Sequence, residues 1–110
     1  MSEDLERTCR EGLESLDAVI HKHADPAHDP VAGATLGAVR MRDALIARRR
    51  RGEDVGHLLR DANVLVSELV AGEFPVSGFR IKRIQQAREL YVKVMDGMRA
   101  ARSRSARHAG

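Results

Sequence analysis

Apolar residues recur at steps of three and four along four separate stretches of this chain, and none alternates apolar with polar for more than a few residues. That periodicity restricts the chain to helices. The core palette points the same way: with no Trp, one Tyr and two Phe, the interior must be Leu, Val, Ile, Ala and Met, which suit helices better than sheets. At 110 residues the chain reads as one domain with a thin core of its own.

The first helix is expected over residues 3–23, on Leu5, Cys9, Leu13, Leu16 and Ile20, with Ser2 as cap and Glu3, Asp4 and Glu6 at the positive end of its dipole. The stretch ADPAHDP (24–30) stops it, since the residue before each proline is pushed out of helical geometry. Asp29 caps a second helix that opens on Pro30 and runs to about Arg50, with Val31, Ala34, Ala38, Met41 and Leu45 in line. Gly33 and Gly37 lie beside that line and read as a seam for close helix packing.

The run Arg48-Arg49-Arg50-Arg51 falls in the last turn of this helix, where cations complement the dipole. Gly52 follows as the stop, and Glu53 and Asp54 are expected to open the next helix, over 54–71. That third helix carries the cleanest stripe: Val55, Leu58, Leu59, Ala62, Leu65, Val66 and Leu69. After GEFPVSG (72–78), Ser77 caps a fourth helix, with Val76 and Ile81 at the spacing of a hydrophobic staple. Its stripe is Ile81, Ile84, Ala87, Tyr91, Val94 and Met98. The fold expected is a small all-α, four-helix up-and-down bundle over residues 1–101, with a disordered basic tail, RSRSARHAG, over 102–110.

Charge is distributed unevenly. Residues 1–30 carry a net −5, residues 31–79 a net +1, and residues 80–110 a net +7. Arg80, Lys82, Arg83, Arg88, Lys93 and Arg99 mark a possible basic face on the fourth helix. Packing the acidic first helix beside it would neutralise part of that charge, and the apolar stripe of the first helix would supply the contact.

Chemistry-bearing residues are few. His21, His23 and His28 with Asp25 and Asp29 are the right ligand types for zinc, copper or nickel, but they match no known ligand spacing. Cys9 stands on the apolar stripe with no base beside it, and His57 has no recognisable partner. No phosphate-binding glycine loop, paired metal-binding cysteines or nucleophile elbow is present, so no enzyme, catalytic residue, metal, cofactor or small-molecule substrate is expected. A single cysteine makes no internal disulfide, nothing approaches ~18 consecutive apolar residues, and the acidic N-terminus does not resemble a secretory signal. A cytoplasmic protein is expected.

The stretch DVGHLLRDANVLVSELVAGEFPVSG…QQARELYVKVMDGM, about residues 54–98, is similar in rhythm to the paired helices of flagellin-export chaperones, which carry a Leu-Tyr late in a bundle helix. This chain has an extra helix before the region and lacks one after it, so no residue role is carried over. The function expected from the residues is a helical protein–protein interaction module, with a protein partner or a second copy of itself as a homodimer. The other class is a small nucleic-acid binder that uses the basic face of the fourth helix and the tail.

Overall fold

The computed structural model describes the backbone of residues 2–21, 30–70 and 78–109, and the side chains of 2–21, 32–70 and 82–100. It contains four helices, α1 (Glu3–Ile20), α2 (Pro30–Arg50), α3 (Gly56–Val70) and α4 (Gly78–Ala109), and no strand among the described residues. Asp25, Asp29, His23 and His28, and the proposed Ser77 cap, lie outside the described residues, as do the side chains of Val31, Ile81 and Arg80.

Contacts along the helices fix their directions. Thr8, Cys9 and Gly12 of α1 meet Arg40, Gly37 and Ala34 of α2, so this pair is antiparallel. Glu6 and Asp17 of α1 meet Arg99 and Arg88 of α4, again antiparallel. Leu58 and Asp61 of α3 meet Gly97 and Lys93 of α4 in the same sense. α2 and α4 therefore run parallel. The result is the expected all-α bundle, with each helix packed against its chain neighbours and α1 closing against α4.

The stripes meet at its centre. Leu5, Cys9 and Leu16 from α1, Ala34, Ala38, Met41 and Leu45 from α2, Leu58, Leu65 and Leu69 from α3, and Ile84, Tyr91, Val94 and Met98 from α4 are all buried. Leu13 and Ile20 sit at the edge, half-buried against this core. Small residues let the helices come close. A Cβ at Gly37 would overlap the Tyr91 hydroxyl and stand 3.2 Å from its Cζ, while one at Gly12 would stand 2.8 Å from Oη and 3.0 Å from the Cα of Ala34. The side of α1 and the seam of α2 thus form a notch that admits the tyrosine, as only hydrogen in place of a methyl leaves room. Gly33, half-buried, faces Ser15 across the same seam.

The helix ends follow local chemistry, with two corrections to the sequence reading. Ser2 caps α1, its Oγ accepting from the Leu5 N–H at 3.2 Å. α1 ends at Ile20 rather than near residue 23, its cap residue His21 donating to the Asp17 carbonyl at 3.0 Å. α2 stops in a two-bond C-terminal cap: the Gly52 N–H donates to Arg49 O at 2.9 Å and the Glu53 N–H to Arg48 O at 3.1 Å, with Gly52 at φ +89°. Because Glu53 belongs to that cap, α3 opens at Gly56, and no acid stands in its first turn. The helical backbone of α4 spans Gly78–Ala109. Ala and Arg favour helix, neither Pro nor Gly interrupts 98–109, and extending a formed helix needs no new nucleus.

Candidate functional site

The arginine run divides at its first member. Arg49, Arg50 and Arg51 are exposed, as a helix end requires, but the Arg48 side chain is only 10% exposed. Its Nε donates to Glu53 Oε2 at 2.8 Å, and Nη1 and Nη2 approach the Met98 carbonyl at 3.4 and 3.5 Å. A single side chain thereby ties the α2 cap to α4. Position 48 continues the buried series 34, 38, 41, 45 by one more step of three, a signal obscured by reading four arginines as one unit. Beside it, Ser2, Leu5, Arg48, Arg51, Glu53 and Met98 border a cavity of about 450 Å³, open to solvent.

Of the six cations proposed for the face of α4, five have described side chains, and three of these are already engaged. Arg88 pairs with Asp17 of α1. Arg99 Nε lies 2.6 Å from Glu6 Oε1 of α1, and its Nη1 lies 3.5 Å from Asp96. Lys93 Nζ lies 3.2 Å from Asp61 of α3. The hydrogen bond from Arg99 holds the Glu6 carboxyl below its ordinary pKa. Lys82 and Arg83 are exposed and make no ion pair among the described residues. The acidic helix therefore does lie against the basic one, from Glu6 beside Arg99 to Asp17 beside Arg88. Each exposed pair contributes only ~0–1 kcal/mol, so the apolar stripes hold the contact and the charges set its register.

The groups that could perform chemistry are placed against it. Cys9 is buried, its thiol donating weakly to the Gly37 carbonyl at 3.8 Å, and burial pushes its pKa up to about 11. That is opposite to the shift that makes a nucleophilic thiolate. Among the described residues the buried Tyr91 hydroxyl has no hydrogen-bond partner, and burial raises its pKa further above the ordinary phenol value. His57 is exposed on the first turn of α3 and His21 at the end of α1. Among the described residues no three His, Cys, Asp or Glu side chains gather as metal ligands. No described helix is long and apolar enough to cross a membrane.

The outer surface differs from helix to helix. Leu36, Val64 and Val70 are the large apolar side chains exposed among the described residues, at 48, 45 and 65%. All three belong to α2 or α3, and Ala32, Asn63 and Ser67, also exposed and uncharged, lie on the same two helices. No protein-family model matches the chain, and no curated protein or solved structure matches it, so the rhythm shared with flagellin-export chaperones carries no further argument.

Proposed function

We propose that the protein is a non-enzymatic helical interaction module of the cytoplasm, an adaptor, chaperone-like or regulatory subunit that pairs with a second copy of itself. The observation that carries this reading is that Leu36, Val64 and Val70 stand exposed on α2 and α3, while α1 and α4 turn no large apolar side chain outward among the described residues. Apolar side chains left exposed on two neighbouring helices suit a two-fold dimer, in which the same surface of each copy covers the other. The pairing of Arg88, Lys93 and Arg99 weighs against the flank of α4 as a nucleic-acid face.

Sedimentation equilibrium over a wide concentration range tests the proposal. The parent chain is expected to dimerise, and the Leu36→Glu/Val64→Glu double variant to remain a folded monomer. A parent chain that stays monomeric at every concentration, or a variant that dimerises as well as its parent, overturns it.

A further inference from the structure

The cavity that Arg48 borders lies where α1 begins and α2 ends. Ala44, Ala47, Arg48 and Arg51 all border it, and steps of three and four residues place them on one face of α2. Small side chains at 44 and 47 leave the space, and Leu5 of α1 and Met98 of α4 are its other apolar walls. At about 450 Å³ it falls within the range of ~300–1,000 Å³ of small-molecule sites. The wall is thus aliphatic on one side and cationic on the other, with no aromatic ring to stack on.

Hydrogen-bond donors are left over in this cavity. A guanidinium carries one N–H on Nε and a pair on each Nη. In Arg48, whose side chain is only 10% exposed, Nε is taken by Glu53, while Nη1 and Nη2 share the single Met98 carbonyl at 3.4 and 3.5 Å, the long edge of hydrogen bonding. One N–H on each Nη therefore has no acceptor among the described residues. Arg51 is exposed and makes no ion pair among the described residues. Ser2 Oγ accepts the Leu5 N–H, so its own O–H remains to donate. Two arginines against one carboxylate, Glu53, leave one positive charge in excess on the wall. Glu6, next to Leu5 on α1, is held by Arg99. We propose that the cavity binds a small aliphatic carboxylate. Its head group accepts from Arg48, Arg51 and Ser2, and its chain lies against Leu5, Ala44, Ala47 and Met98. A dianion such as phosphate fits less well, because Glu53 shares the wall and four of the eight bordering residues are apolar. The site does not rest on the dimer reading, since Leu36, Val64 and Val70 do not border the cavity.

The experiment is an NMR titration of the isotope-labelled full chain with octanoate. Saturable shifts are expected on the backbone amides of Leu5, Ala44, Ala47, Arg48 and Arg51, with a Kd on the order of 1 mM or tighter. Arg51→Ala should weaken binding about tenfold, the loss of a charge-assisted hydrogen bond, and Ala47→Glu should abolish it by filling the space with a like charge. Arg49→Ala, which removes the same charge from a residue that does not border the cavity, should change affinity less than about threefold. Positions 47, 49 and 51 are all exposed, so these variants keep the fold, whereas Arg48 also ties the α2 cap to α4 and is left in place. The proposal is overturned if octanoate gives no saturable shifts, or if Arg49→Ala loses as much affinity as Arg51→Ala. It is equally overturned if octylammonium binds as tightly, which would mean an apolar surface with no head-group site, or if inorganic phosphate displaces octanoate at equal concentration, which would mean an anion site with no place for the chain.

Discussion

Two residues show how much the interior depends on single atoms. Gly37 is a helical glycine whose replacement by Ala would ordinarily gain ~1 kcal/mol of helix propensity, yet the added methyl would overlap the Tyr91 hydroxyl. Gly37→Ala is expected to cost ~1–3 kcal/mol, the range for overpacking. Tyr91→Phe removes a buried hydroxyl that has no partner among the described residues, so it should be neutral or stabilising by up to ~1 kcal/mol. Combined, they should be less damaging than Gly37→Ala alone, since the nearest ring carbon would stand 3.2 Å away. Urea denaturation of the three variants measures this coupling, and simple additivity would mean that Tyr91 does not fill the notch. Arg48→Ala should cost ~1–3 kcal/mol by breaking charge-assisted hydrogen bonds, whereas Arg49→Ala, exposed, should cost under ~0.5 kcal/mol. Equal denaturation midpoints for these two would contradict the division of the arginine run. Cys9 gives a pH prediction. Its folded pKa is raised to about 11 from an ordinary value of 9.0, so the folded state holds its proton more tightly. The corresponding stability is fully present below pH ~9 and is lost as pH rises towards ~11. Thiol-labelling of the native protein should be slow at neutral pH and should track unfolding.

At the scale of elements, the C-terminal cap of α2 offers the cleanest test. Gly52 has φ +89° and open space around the position a Cβ would take, so Gly52→Ala meets no clash and suffers only the left-handed backbone strain. It should cost ~1–2 kcal/mol, and a D-alanine introduced by chemical synthesis should recover it. If both alanines behave alike by thermal melting, the positive φ is not what the glycine provides. The helices themselves were legible because their apolar spacing encodes both type and buried face. Ala34, Ala38, Met41 and Leu45 on α2, and Ile84, Tyr91, Val94 and Met98 on α4, are buried as the stripes require. The apposition of α1 and α4 was legible too, from opposite net charges with an apolar stripe on each, whereas its antiparallel sense is read from the Glu6–Arg99 and Asp17–Arg88 pairs. What the spacing does not encode is which atoms meet across helices. That Arg48 turns inward and that Glu53 serves the cap before it instead of the helix after it depend on tertiary geometry.

At the scale of the whole molecule, the function follows from where charge and apolar surface remain after the helices have satisfied one another. The core closes within one chain, α2 and α3 retain exposed Leu36, Val64 and Val70, and carboxylates of α1 and α3 engage Arg88, Lys93 and Arg99 on the flank of α4. Of the candidate site residues, the sequence marks the cations but not their partners, because Glu6, Asp17 and Asp61 reach α4 from helices far away in the chain. The central claim is that these carboxylates neutralise the flank of α4. It is tested most directly by comparing duplex binding of Glu6→Gln/Asp17→Asn with that of Glu11→Gln/Glu14→Gln. Both variants remove two negative charges from α1, but only the first releases Arg99 and Arg88, since Glu11 and Glu14 are exposed and make no ion pair among the described residues. The account predicts that the first variant binds more tightly and steepens the salt slope by about one to two, while the second leaves the slope unchanged. Identical behaviour of the two would contradict it.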